Sequence, residues 1–197
     1  MAAVLTRIAD LTEAAPFVIR TERASDVASR EALLDASFGE GRHARTCQRL
    51  REGRKPAEGL AFTATRQGTL IGTVRLWHVN AGSAPALVLG PLAVDASCRG
   101  LGVGAALMTR ALGVARTRGH RAVILLGDAP YYSRFGFSTL GTGSLSLPGP
   151  FERDRLLALE LRAGALEGAS GLITATGVIA AGARKDYARR RPLSRAA

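Results

Sequence analysis

Between Gly90 and Met108 the chain reads Gly-Pro-Leu-Ala-Val-Asp-Ala-Ser-Cys-Arg-Gly-Leu-Gly-Val-Gly-Ala-Ala-Leu-Met, an apolar strand passing through three alternate glycines into a helix. Gly100, Gly102 and Gly104 supply a tight turn, and a helix that starts on such a turn leaves several backbone N–H groups unpaired and pointing the same way. The positive end of the helix dipole lies behind them. The run therefore forms a seat for a phosphate or pyrophosphate, and it demands a strand before the turn and a helix after it.

The flanking segments extend that unit. The helix over about Val103 to Arg118 carries Leu107, Met108, Ala111, Leu112 and Ala115 on one arc, and Arg121 to Leu126 is the near-continuous apolar run of a central strand. A strand, glycine turn, helix and strand in about 35 residues make a βαβ unit with parallel strands. Upstream, Leu60 to Arg66 and Thr69 to Val79 alternate around Gln67-Gly68 as a hairpin, and a strand from Ala86 to Val94 follows. Pro91 has no N–H for a sheet ladder, so that strand is bulged near Gly90-Pro91.

Toward the ends the pattern loosens. Phe17 to Arg23 suggests a first strand after Pro16, and Ser25 is placed to cap a helix over Asp26 to Phe38 with Val27, Leu34 and Phe38 on one face. His43 to Gly53 reads as a second helix, rich in arginine and outside the core. Its basic face suits solvent; the functional alternative is a wall that attracts an acidic acceptor or a cofactor's phosphates. Tyr131 to Arg134 has room for one helical turn, Phe135 to Ser138 for a short strand, and Leu156 to Leu161 for a last strand to pair with it. The expected layout is a flexible lead-in over 1–15, one domain over 16–162, an irregular extension packed on it over 163–183, and a flexible basic tail over 184–197.

Composition excludes several classes. Apolar residues make up 47% and charged residues 22%, which favours a globular domain over disorder. No apolar run approaches the roughly 20 residues of a membrane-spanning helix, and the first ten residues make a poor signal peptide. Cys47 and Cys98 are too few for a disulfide framework and match no metal-ligand spacing, so both are read as reduced thiols in a cytoplasmic protein without a metal. Of the formal charge of +11, the segment Arg184 to Arg195 holds six basic residues against Asp186. With so much of the charge in one tail, a nucleic-acid partner is disfavoured.

The glycines select among nucleotides by their neighbours. No Gly-Lys-Ser/Thr follows, which removes a nucleoside triphosphate loop, and the mid-chain position after a hairpin removes a dinucleotide fingerprint. Arg99-Gly100-Leu101-Gly102-Val103-Gly104 instead resembles the Arg/Gln-x-x-Gly-x-Gly/Ala coenzyme A loop of the GNAT superfamily of acyltransferases. Tyr131-Tyr132-Ser133-Arg134-Phe135-Gly136-Phe137 is similar to that superfamily's Phe/Tyr-Tyr-x-x-x-Gly-Phe. Leu89 to Val94, with Gly127 to Tyr132, resembles its YhbS-like branch. The likeness spans about Phe17 to Leu161.

The resemblance implies an α/β fold of the α+β kind: a mixed, mostly antiparallel sheet whose central parallel pair splays around acyl-CoA. It implies acetyl-CoA as co-substrate and direct transfer of an acetyl group to a primary amine of a small molecule or protein. Leu92, Ala93, Val94 and Arg99 through Gly104 would bind the cofactor, the backbone N–H groups of Leu92 to Val94 would polarise the carbonyl, and Tyr132 would act as general acid. Asp128 is the candidate general base, with a helix cap as its other reading; His78 is a weaker candidate, and Cys98 is read as a spectator. The missing evident base keeps a second class open, an acyl-CoA-binding regulatory module of weak activity. A homodimer is left open, and the acceptor is not legible.

Overall fold

The structure is a computed structural model and describes residues 17–181; the expected lead-in over 1–15 and the basic tail over 184–197 lie outside the described residues. In chain order the elements are β1 (Val18–Thr21), α1 (Val27–Phe38), β2 (Ala61–Arg66), β3 (Thr69–Ala81), β4 (Ala84–Val94), α2 (Val103–Thr117), β5 (Ala122–Leu126), α3 (Ala129–Tyr132), β6 (Leu145–Ser146), β7 (Leu156–Glu160) and β8 (Gly171–Ala175). The main sheet runs β1-β2-β3-β4-β5-β7 and is antiparallel at every step except β4 to β5. That is the mixed sheet with a central parallel pair implied by the motifs. Among the described residues, no helix is long and apolar enough to cross a membrane.

The apolar run of β5 is explained by cover on both faces. Val123 and Leu125 pack with Leu107, Met108, Ala111 and Ala115 of α2, whereas Ala122 and Ile124 pack with Trp77, Val88, Leu145 and Leu156 on the opposite face. α2 approaches the sheet over Gly72. A Cβ there would stand 3.0 Å from both Leu107 Cδ1 and Val103 Cγ1, so any larger residue would push the helix outward.

Four expectations need correction. Beyond Arg162 the chain is less irregular than its glycines suggested: β8 pairs antiparallel with the far end of β3 at Val79 to Ala81, and β6 pairs parallel with β8. Phe135 to Ser138 is not a strand, because Gly136 takes a left-handed conformation (φ 86°) and only Ser138 bridges to Ala158. β7 pairs instead with β5 along its whole length. The segment His43 to Gly53 is two short 3-10 turns, Glu40–Ala44 and Thr46–Leu50, separated by extended Arg45 (φ −65°, ψ 143°); Leu50 enters the core at 2% exposure.

The fourth correction concerns α1, whose inward stripe starts one residue earlier than its apolar pattern suggested. Asp26, Arg30, Leu33 and Leu34 are buried, Val27 is exposed, and Ser25 does not cap the helix. Helical spacing carries two charges inward here because both are paired. Arg20 grips both carboxylate oxygens of Asp26 at 2.6 and 2.7 Å, while Arg30 reaches Glu22 and Glu31, each at 2.5 Å.

The Asp26 carboxyl is held at about 2, below its ordinary 3.8, mainly by the Arg20 hydrogen bonds and further by the Arg23 N–H. A depressed carboxyl stabilises the fold above its unfolded pKa and loses that contribution as pH falls through the folded value. Asp26→Asn is therefore expected to lower stability at neutral pH and to remove part of the loss that the native chain suffers between pH 3.8 and about 2. Urea midpoints measured across that interval check it; parallel acid limbs in both proteins would contradict the assignment.

Candidate active site

The parallel pairing of β4 with β5 is very short. Only Leu87 with Val123 and Val88 with Ile124 are in register; beyond them β4 continues with β3 while β5 continues with β7. The strands part at the bulge expected near Gly90-Pro91. Val74 faces Leu92 and Leu76 faces Leu89, so Gly90 and Pro91 together oppose the single residue Arg75. The Trp77 indole N–H donates to the Gly90 carbonyl at 2.6 Å and fixes the bulge from the side.

Past the bulge, one edge of β4 is left without a strand. The Asp95 N–H donates to the Ile71 carbonyl at 2.8 Å, which sets the alternation of the antiparallel ladder. By that alternation Asp95 and Ala93 direct their backbone groups toward β3, and Leu92 and Val94 direct theirs into the opening. Two of the three expected N–H donors, Leu92 and Val94, thus face the gap. Ala93 faces Thr73 of β3 instead, where it is paired in register.

The glycine turn lies at the other end of this edge. Gly100 (φ 84°) and Gly102 (φ 77°) take left-handed conformations, and Gly102 is the N-cap of α2 with no side-chain cap. The first N–H groups of α2 are accordingly left for a ligand. Gly104 serves a different end: a Cβ there would stand 2.9 Å from the Tyr131 hydroxyl, which packs over the first turn of the helix. Arg99 and Gly104 line the cleft, whereas Leu101 is an exposed residue of the turn.

Across the opening, β5 ends at Leu126, Gly127 follows, and the short helix α3 brings in Tyr132. A Cβ at Gly127 would lie 2.2 Å from Tyr132 Cε2, so the bare glycine is what lets the ring settle on the strand end. Tyr132 meets Tyr131 edge-on (4.9 Å between centroids) and Phe137 (6.0 Å). Burial pushes its phenol up to about 12, with Tyr131 and Asp128 adding to the shift and Arg155 opposing it. Asp128 is exposed at the cleft mouth. Its carbonyl accepts the N–H groups of Tyr131 and Tyr132 at 3.0 and 3.1 Å, but its carboxylate makes no capping bond, which removes the cap reading of that side chain.

These parts line one cleft of about 1110 Å³. It gathers Leu92, Ala93, Val94, Arg99, Gly104, Asp128 and Tyr132, takes in Arg51 of the arginine-rich segment, and adds residues that sequence reasoning did not single out: Gln48, Arg75, Trp77, Phe151 and Arg155. Arg75 and Trp77 carry no local signal, because their places depend on the bulge across the ladder. His78 lies elsewhere, 5.4 Å from the His120 ring beside a separate small cavity. Cys98 is buried in the core outside the cleft, and both cysteines are free. Among the described residues no group of three or more His, Cys, Asp or Glu could hold a metal ion.

The family model for the acetyltransferase (GNAT) family matches residues 27–137. The chain belongs to the GNAT acetyltransferase family. It is 33% identical over 158 residues to the uncharacterized N-acetyltransferase YhbS of Escherichia coli, covering 79% of this chain and 94% of that protein. A second Escherichia coli relative, the uncharacterized N-acetyltransferase YjhQ, is 28% identical over 131 residues, 64% of this chain and 72% of that one. The crystal structure of YhbS in complex with CoA superposes with a TM-score of 0.71 at 32% identity, over 83% of this chain and 91% of that one. A GNAT family acetyltransferase from Brucella melitensis in complex with acetyl-CoA matches with a TM-score of 0.54 at 27% identity, over 73% and 95% of the two chains. The GNAT reading of the fold and the class of enzyme, an N-acetyltransferase, stand on these likenesses.

In this GNAT chain, Gly127→Ala is expected to lift the Tyr132 ring from its seat. An ultraviolet tyrosinate titration should then find that phenol nearer the ordinary 10 than about 12, a component that Tyr132→Phe removes. An unmoved titration would mean that the ring is held up by something other than the strand end.

Proposed function

We propose that the protein transfers an acetyl group from acetyl-CoA directly to a primary amine of a small molecule or protein, with both substrates bound together. The observation that carries this reading is the open edge of β4, with Leu92 and Val94 on one side of the gap and Tyr132 on the other. Gly100 to Gly104 and the first turn of α2 would hold the pyrophosphate, with Arg99 beside it. Bound acetyl-CoA supplies the thioester; the chain's own groups supply placement and proton transfer.

Three tasks fall to those groups. The N–H groups of Leu92 and Val94 stabilise negative charge on the carbonyl oxygen as the amine attacks. Tyr132, held protonated because its pKa is pushed up to about 12, donates a proton to the departing sulfur. Asp128, with its carboxylate uncommitted to a cap, takes the proton from the acceptor ammonium at the cleft mouth. The two free thiols suit a reducing, cytoplasmic setting.

CoA release from acetyl-CoA with a panel of amines tests the reading. Tyr132→Phe is expected to lower kcat by about 10²- to 10⁴-fold with little change in CoA affinity. Asp128→Asn should lower kcat/KM by about 10²- to 10⁴-fold at neutral pH. Because Tyr132 keeps its proton to about 12, no alkaline fall should occur until pH nears that value. Tight acetyl-CoA binding without turnover, indifferent to Tyr132→Phe, would make the protein a binding module instead.

The loop is tested separately. Gly102 has open space where a Cβ would stand, so Gly102→Glu adds bulk and negative charge at the helix N-terminus with only the strain of its left-handed backbone, about 1–2 kcal/mol. Calorimetry should find CoA binding abolished in a folded protein. Retained affinity would remove the assigned phosphate seat.

A further inference from the structure

The half of the cleft away from the glycine turn carries several arginines, and among the described residues all but one of the guanidinium groups buried there are paired with carboxylates. Arg42 is paired with Glu31 and Asp35, each at 2.6 Å, and Arg75 is paired with Glu22. Arg30, just behind them, takes Glu22 and Glu31. Of the exposed arginines that line the cleft, Arg155 faces Glu152 at 3.6 Å, Arg45 lies over the Phe38 ring at 5.1 Å, and Arg99 precedes the glycine turn, where its charge is open to solvent. Arg51 is different. Among the described residues it has no carboxylate within ion-pair distance, and its side chain's one hydrogen bond runs from Nε to Gln48 Oε1 at 2.8 Å.

That single bond orients the fork and leaves both Nη groups unengaged on the cleft wall. Their position is informative. Arg51 Nη1 lies 3.4 Å from where a Cβ on Gly90 would stand, so the guanidinium sits against the bulge, at the end of the open edge away from Gly100 to Gly104. Leu92 is only two residues further along, about 7 Å at full extension. A group held by Arg51 is thus a few bonds from the transferred carbonyl and remote from the cofactor's phosphates.

We infer that Arg51, oriented by Gln48, binds a carboxylate on the acceptor, which makes the substrate a small primary amine carrying a carboxylate a short spacer away. A planar guanidinium with two free Nη groups matches a carboxylate by a bidentate pair. Burial pushes the Arg51 pKa down, and the nearby charges of Arg42, Arg45 and Arg75 add to that. An anion arriving at this place relieves both effects. The inference rests on the acetyl transfer proposed above, and it gives the arginine-rich segment, read from sequence as a solvated face or a wall for an acidic acceptor, the second role.

The test uses matched pairs: glycine, β-alanine and γ-aminobutyrate, each against its carboxamide, with acetyl-CoA present. The native protein should prefer at least one carboxylate over its carboxamide by about 10²-fold in kcat/KM. Arg51→Gln should erase that preference, chiefly through KM, with a loss on the carboxylate about 10²-fold greater than on its carboxamide; Arg51→Lys should restore part of it. Equal use of both members by the native protein, or an equal loss on both in Arg51→Gln, would overturn the assignment. If no amine is acetylated, the proposed transfer fails, and the carboxylate site is then read alone. The same amino acids should raise the Tm of the CoA-bound native protein but not of Arg51→Gln, and an equal response in the two would refute the site.

Discussion

The parallel contact between β4 and β5 lasts for two residue pairs and then stops, and the rest of the molecule is arranged so that it can stop there. Ending a ladder inside a sheet leaves backbone donors and acceptors without strand partners, which is unfavourable unless water or a ligand reaches them. Each strand is therefore anchored on its other side: β4 along the long hairpin with β3, and β5 along all of β7. α2 covers one face of both strands below the split, and Leu145, Leu156 and Leu166 fill the other. The gap is a property of a rigid frame.

Charge is treated in the same economical way on the α1 side. Glu22 receives both Arg30 and Arg75, tying the end of β1 to α1 and to the middle of β3. Breaking such a buried pair leaves a charge without compensation and typically costs about 3–5 kcal/mol, although the intact pair adds little over apolar packing. The network therefore fixes position more than it adds stability. It also gives Arg51 its meaning: among the described residues that line the cleft, the other buried guanidinium groups, those of Arg42 and Arg75, are matched with carboxylates, and Arg51 stands where a ligand's charge would enter.

Legibility followed sequence distance. The βαβ unit, the hairpin and the bulge at Gly90-Pro91 were readable because turn chemistry and apolar period act within a few residues. The stripe of α1 was misplaced by one position because Asp26 and Arg30 look like solvent-facing residues until Arg20 and Glu22 arrive from another element. β8 was missed for a related reason: Gly171 to Ala175 is a weak strand alone and forms against the overhanging end of β3. In the site, the turn at Gly100 to Gly104 and the tyrosine at position 132 were visible as local motifs. Arg75 and Trp77 were not, since they meet only once the bulge turns β4 toward them, and Arg51 was legible only as one cation of an arginine-rich segment with two readings.

This difference in legibility is also a difference in chemistry. The side of the cleft proposed for the donor is made of backbone: two N–H groups at an unpaired edge and the start of a helix after left-handed glycines. Such a surface asks little of side chains beyond a few glycines and a proline. The acceptor side is made of side chains on two short turns between α1 and β2, on the bulged middle of β3, and around Phe151. Among them the Nη groups of Arg51 can change without disturbing the frame, whereas Trp77 holds the bulge and Arg75 is tied to Glu22. On the proposed reading such a cleft holds its cofactor through the main chain and leaves the choice of amine to side chains, which is why the acceptor's chemistry is sought at Arg51.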